Sequence, residues 1–151
     1  AFYLLFKSVW YTTSLIVPKM LKNKGGRIIN VTSVSVKEPL NYLVLSNSIR
    51  SAVVAWAKSL SVDVGKDGVT VNSILTGYFD TERIKDLNKE KSKSLNISED
   101  EVLEKMKSLV PINRLGKTEE YGYLVSFLSS DKAAYINGAS IPIDGGLLKS
   151  Y

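Results

Sequence analysis

Two short aliphatic, β-branched runs stand out from an otherwise mixed chain: Arg27–Ser33 (RIINVTS) and Val69–Leu75 (VTVNSIL). The first is entered through Gly25-Gly26 and the second through the turn Lys66-Asp67-Gly68. Runs of this length bounded by turn residues predict buried strands. A third, Ala139–Ile143, follows Tyr135-Ile136-Asn137-Gly138 and ends at Asp144-Gly145-Gly146. Helical spacing fills the intervals. Ile49, Ala52, Val53, Trp56, Ala57, Leu60 and Val64 share one face of a predicted helix, and Tyr121, Leu124, Val125 and Leu128 share another, over Glu119–Leu128, with Thr118 as its cap. Ala1–Lys22 predicts a helix that is apolar almost all round, with Pro18 near its end, so both its sides need cover.

Glu82–Leu109 is highly charged but keeps a helical apolar period. Ser98-Glu99-Asp100-Glu101 fits a capping box, followed by the stripe Val102, Leu103, Met106 and Leu109. Two short helices, near 81–92 and 99–109, are predicted outside the main layers. Strands separated by helices imply parallel pairing with right-handed crossovers, hence an α/β fold. Three strands alone leave an unprotected sheet edge.

Composition narrows the chemistry. At 151 residues the chain fits one domain with a real core. It has no cysteine and no histidine, which removes disulfides, thiol nucleophiles, the usual general base and the commonest metal ligands, so no metal site is expected. The formal net charge of +5 comes from lysines spread along the chain, and only Lys85–Lys93 forms a run. No aromatic residue lies in that run, so it reads as a solvated face and not as a nucleic-acid site. No stretch reaches membrane-spanning length and no signal peptide is visible, so no membrane partner and a cytoplasmic location are expected.

The candidate chemistry lies where strands end. A polar loop with Ser33, Ser35, Lys37, Glu38 and Pro39 follows the first strand, and Thr76-Gly77-Tyr78-Phe79-Asp80-Thr81 follows the second. Open α/β sheets bind ligands at this end of their strands. A glycine directly after a buried strand lets backbone approach a ligand closely, or simply makes a turn.

The run GRIINVTS, followed by a helix ending AWAKSL, resembles the middle of the short-chain dehydrogenase/reductase family. Arg114-Leu115-Gly116, Phe127-Leu128-Ser129-Ser130-Asp131 and Ile143-Asp144-Gly145-Gly146 extend the resemblance to the end of the chain. It implies the C-terminal half of a Rossmann-like doubly wound parallel sheet in one domain, with an insertion at about 81–110 acting as a substrate lid. It places the catalytic serine at Ser33. The family's Tyr-x-x-x-Lys falls on Ser46 and Arg50, and its relay asparagine, aligned from Pro18, on Leu5. The family's Pro-Gly-x-x-x-Thr, which meets the nicotinamide end of the cofactor, falls on Thr76-Gly77 and Thr81. Implied cofactor contacts are therefore Val31, Thr32, Arg50, Thr76, Gly77, Tyr78 and Thr81, with NAD or NADP as cofactor.

Of the four family catalytic residues only Ser33 is kept. An alkyl hydroxyl at Ser46 is a far poorer acid than a phenol, whose ordinary pKa is about 10. Arg50 retains the charge but does not exchange protons. Tyr42 lies four residues before Ser46. On a helix it would share a face with Ser46 and Arg50; in a loop it would pack over the cleft. Lys37 is either a polarising cation or a solvated loop residue. The Gly-rich turn that cradles pyrophosphate, and a later Asn-Asn-Ala-Gly, do not occur in these residues, which suggests the C-terminal part of a longer protein.

Two functions follow. One is an NAD(P)-dependent oxidoreductase acting on a carbonyl or alcohol, such as a 3-oxoacyl, sugar or small ketone substrate. The other is a catalytically impaired relative serving as a nucleotide-binding or regulatory scaffold. A homo-oligomer, dimer or tetramer, is expected through the first helix and the Ser46–Val64 helix. The geometric expectation common to both is that Ser33, Arg50 and Gly77 converge around one hollow.

Overall fold

The computed structural model describes residues 1–41 and 43–150. Its elements run α1 (Ser8–Lys22), β1 (Gly26–Val31), α2 (Val44–Gly65), β2 (Val69–Thr76), α3 (Glu82–Leu95), α4 (Glu99–Ser108), α5 (Thr118–Ser129) and β3 (Ser140–Ile143). A π-helical turn, Tyr3–Lys7, leads into α1. The strands form a parallel sheet in the order β1-β2-β3. Helices cover both faces, which makes the architecture α/β.

Alternation along β2 divides the core. Val69 and Val71 face α1 and α2, and pack with Ala57, Val64, Trp56 and Leu60 of α2 and Val17, Met20 and Leu21 of α1. Ile74 faces α5 and packs with Leu128, Tyr121, Leu124 and Val125. β2 is buried along almost its whole length, as a central strand covered on both faces must be. The sequence spacing located α2 well, but two positions differ. Ala52 is exposed, and Ser61 is buried on the face of Val53, Ala57 and Val64, its hydroxyl donating to the Lys58 carbonyl.

The connection into β3 is stitched by two asparagines. Asn72 Nδ2 donates to the Ile136 carbonyl (2.8 Å), and its Oδ1 accepts from Ala139 N–H (3.0 Å). Asn137 Oδ1 accepts from Val71 N–H (2.9 Å), and its Nδ2 donates to the Ser61 carbonyl (2.9 Å). Buried backbone groups that β3 alone does not reach are thereby paired.

α3 and α4 form the predicted helical hairpin. The capping box is present: Ser98 Oγ accepts from Glu101 N–H (3.1 Å), and Glu101 Oε2 accepts from Ser98 N–H (2.9 Å). A parallel bridge between Phe79 and Gly116 closes the neck of this insertion. The next helix begins differently from its expected cap. Thr118 is already its first residue, and Glu120 Oε2 accepts the Lys117 N–H at 2.8 Å instead. Among the described residues, no helix is long and apolar enough to cross a membrane.

Candidate functional site

The carboxyl ends of β1 and β2 lie side by side, with Val31 paired to Ile74 and Thr76 to Ile143. Ser33 lies beyond the strand, where a run ending at Ser33 itself was expected. Thr32 makes the break. Its N–H and its hydroxyl both bond the Ile74 carbonyl (2.9 and 2.8 Å), which leaves Ser33 free of the sheet ladder. Ser33 then caps a short 3₁₀ turn, Val34–Val36, its Oγ accepting from Ser35 N–H at 3.1 Å. An accepting hydroxyl keeps its own proton available to donate.

Ser46 and Arg50 lie in the first turns of α2, half-buried and one turn apart. Arg50 Nε donates to Ser46 Oγ (3.3 Å) and Nη1 to the Val31 carbonyl (3.4 Å). The guanidinium thus bridges the helix to the end of β1. Tyr42 lies outside the described residues. Leu5, on the expected relay position, is half-buried in the π-helical turn.

At the end of β2 the Thr76 hydroxyl lies 3.2 Å from the Tyr121 hydroxyl. Phe79 meets the Tyr121 ring edge-on, with centroids 5.3 Å apart. Burial raises the Tyr121 pKa, while the Thr76 bond and the positive charge of Arg50 pull it back. Thr76, Phe79, Thr81, Thr118 and Tyr121 line a recess of about 230 Å³. The Thr76 and Tyr121 hydroxyls face each other and Thr81 Oγ1 donates to the Phe79 carbonyl, so the recess presents an almost wholly apolar wall that suits the face of a flat ring. Thr81 Oγ1 caps α3, accepting from Ile84 N–H at 3.4 Å. Burial raises the Tyr78 phenol's pKa.

Gly77 has a different reason from ligand approach. A Cβ there would stand 2.6 Å from Asp144 Cα and 2.7 Å from Asp144 Cβ. Its N–H donates to the Ile143 carbonyl at 3.0 Å. The glycine lets β2 run against the end of β3. Of the three residues expected around one hollow, Ser33 and Arg50 both flank the end of β1. Gly77 lies at the neighbouring strand end, with its Cα facing Asp144.

Sequence reasoning assigned Tyr121 only to a buried stripe. Nothing in the helical period says that its hydroxyl reaches the end of β2. Glu38 was read only as a polar loop residue. Its Oε1 accepts from Lys149 N–H (2.8 Å) and Ser150 N–H (2.7 Å), and those bonds hold its carboxyl below the usual range. Among the described residues, no group of three or more Asp, Glu, His or Cys is placed to hold a metal ion.

Comparison with known proteins gives a consistent result. The family described as enoyl-(acyl carrier protein) reductase matches residues 1–148. Oxidoreductase UcpA of Salmonella typhimurium is 33% identical over 143 residues, covering 93% of this chain and 52% of the relative. NADPH-dependent reductase BacG of Bacillus subtilis is 33% identical over 131 residues, 87% of this chain and 51% of the relative. The solved structure of L-sorbose reductase from Gluconobacter frateurii, complexed with NADPH and L-sorbose, superposes with a TM-score of 0.92 at 30% identity. It covers 99% of this chain and 57% of that one. The chain thus spans about half the length of the relatives it matches, and it shares their Rossmann-like fold. By sequence and by fold, it belongs to the short-chain dehydrogenase/reductase family.

Proposed function

We propose that this chain carries the substrate side and the nicotinamide side of an NAD(P)-dependent oxidoreductase interconverting a carbonyl and an alcohol. The observation that carries this reading is the position of Arg50. Its guanidinium ties α2 to the Val31 carbonyl at the carboxyl edge of a parallel sheet, one strand over from the Thr76–Tyr121 pair. The names of the relatives UcpA and BacG support the class.

The nicotinamide, when bound, supplies or accepts the hydride at the substrate carbon. Ser33 donates its hydroxyl proton in a hydrogen bond to the carbonyl oxygen as that oxygen gains charge. Arg50 stabilises the same charge and holds ribose hydroxyls. The proton that completes the alcohol comes from water; Ser46, which accepts the Arg50 Nε–H, relays it by passing on its own hydroxyl proton only as the water proton takes its place. The apolar recess of Thr76, Phe79, Thr81 and Tyr121 fits the face of the ring. The helical hairpin α3–α4, closed at its neck by the Phe79–Gly116 bridge, serves as the lid.

We further infer a homo-oligomer, with a tetramer as the expected form. Leu4, Tyr11 and Leu15 on the first helical segment, and Val44, Leu45 and Val62 on α2, are all more than half exposed. The two helices cover the same sheet face, so their outer sides form one apolar surface. A cytoplasmic location belongs to the same reading.

The test is NADPH oxidation over a panel of carbonyls, comparing wild type with Ser33→Ala and Arg50→Ala. Each change removes a group aimed at developing charge and should lower kcat by roughly 10²–10³-fold. Activity that neither change lowers would overturn the site. Binding of NADPH without any turnover would favour the scaffold reading, which the replacements at Ser46 and Arg50 support.

A further inference from the structure

The turn that leads into β3 holds the chain's one Asn-Gly pair, Asn137-Gly138. In an open chain this pair deamidates readily, because glycine has no side chain to hinder attack by its own nitrogen. The backbone nitrogen of Gly138 loses its proton to water or hydroxide and attacks Asn137 Cγ. The new N–C bond closes a succinimide, and Nδ2 leaves as ammonia. Water then opens the ring at either carbonyl. The products are aspartate and isoaspartate, the second with a main chain longer by one atom. The step needs only water.

The fold calls for both members of this pair. Gly138 has a φ of 69°, and a Cβ there would stand 2.6 Å from Ser61 Oγ and 2.7 Å from Lys58 Nζ, so the position is closed to side chains. Asn137 must offer an acceptor and a donor on one short side chain. Its Oδ1 takes the Val71 N–H of β2, and its Nδ2 reaches the Ser61 carbonyl of α2, each at 2.9 Å. The same contacts block the chemistry. The Gly138 N–H donates to the Val71 carbonyl at 2.9 Å, so the nucleophile keeps its proton and is turned toward β2. The electrophile is clamped at both its oxygen and its nitrogen. Bringing Cγ onto the Gly138 nitrogen breaks all three bonds. On either side, Asn72 holds the Ile136 carbonyl and the Ala139 N–H.

We propose that Asn137 is a fold-gated modification site, which stays an amide while the turn is closed and deamidates when residues 135–139 open. Three hydrogen bonds, each worth roughly fivefold in an opening equilibrium, hold the reaction about 100-fold below its open-chain rate. The product does not fit the closed turn. A carboxylate at 137 sets a charged acceptor against the Ser61 carbonyl, where a donor is required. Isoaspartate shifts Gly138 away from Val71. Conversion is therefore one-way, and the site records how often the β2–β3 connection has opened.

The experiment incubates the intact chain at mildly alkaline pH, native and in guanidinium chloride. It follows the amide-to-acid mass shift in the peptide containing Asn137, and amide exchange at Gly138 in the native sample. We expect native deamidation at least about 100-fold slower than unfolded, with the Gly138 amide protected by a similar factor. Asn72→Ala keeps the Asn-Gly pair, removes the two flanking bonds and should speed native deamidation at least about tenfold. Asn72 is buried, so this variant is checked by urea unfolding, and the wild-type comparison decides the question if it does not fold. A native rate within about threefold of the unfolded one overturns the gating. So does a protected Gly138 amide beside rapid deamidation, since attack would then proceed inside the closed turn. A folded Asn72→Ala that deamidates no faster than wild type also counts against it. Asn137→Asp should lower the urea midpoint, and a midpoint equal to that of wild type overturns the claim that the product does not fit.

Discussion

Gly77→Ala separates two explanations of a glycine at the end of a buried strand. In one, a ligand approaches the bare Cα. In the other, the neighbouring strand does. An alanine methyl would sit 2.6 Å from Asp144 Cα, whereas comfortable carbon–carbon contact needs about 3.5 Å or more. Roughly 1 Å must therefore be recovered by moving backbone, because Asp144 Cα belongs to main chain. Overpacking of this kind costs about 1–3 kcal/mol. A smaller opposing effect comes from the unfolded chain, which alanine restricts by about 0.4–1 kcal/mol. The net loss is about 1–2 kcal/mol, or roughly 2–8 °C in Tm for a chain of this size. Asp144 also accepts the Gly146 and Leu148 N–H groups, so the shift passes into that turn while NADPH affinity changes little. Thermal unfolding by circular dichroism and an NADPH fluorescence titration give the two readouts. An unchanged Tm with a tenfold weaker NADPH Kd would refute the packing argument and return the glycine to the cofactor.

Other outcomes follow from the same geometry. Asn137→Ala leaves the Val71 N–H unpaired in the core and removes a second bond from the Ser61 carbonyl, which α2 already pairs. It should cost about 1–3 kcal/mol in urea unfolding, and a loss below half a kcal/mol would show that water replaces the side chain. Ser98→Ala removes the capping box of α4 and should cost the hairpin about 1 kcal/mol, read as faster amide exchange confined to Glu99–Ser108. The Arg114 guanidinium bonds both Glu120 oxygens (2.7 and 2.8 Å) and, as the largest cause, lowers the Glu120 pKa from 4.5 to about 2. A carboxylate whose folded pKa is depressed stabilises the fold above its unfolded value and loses that effect as pH falls through the folded one. The stability difference between wild type and Arg114→Ala should therefore be present at pH 6, shrink below pH 4.5 and be mostly lost by about pH 2; a difference undiminished at pH 2 would mean another interaction carries it.

Much of this was legible in the chain, for local reasons. β2 reads as a strand because a strand buried on both faces needs a continuous apolar run, and the α4 box reads from four consecutive residues. The strand run through Ser33 was read two residues too long. Thr32 and Ser33 look like strand, and only the two hydrogen bonds from Thr32 to the Ile74 carbonyl show where pairing stops. The site was legible only in part. Ser33, Ser46 and Arg50 come from one contiguous segment. The Tyr121–Thr76 contact and the Glu38–Lys149 bond join residues 45 and 111 positions apart, and no periodicity encodes such contacts. Thr118 carried a good cap residue type, but Glu120, engaged with both Arg114 and Lys117, took over the start of α5.

The central position of β2 has a consequence for how the molecule assembles. Both other strands hydrogen-bond to it and, among the described residues, not to each other. Neither hydrophobic layer can close before this strand is in place, and each pairing requires a long excursion of chain to return, which slows folding. The order of events is thus set by one eight-residue segment: its amides should be the last to exchange with solvent, and damage there should cost the whole sheet and not one edge.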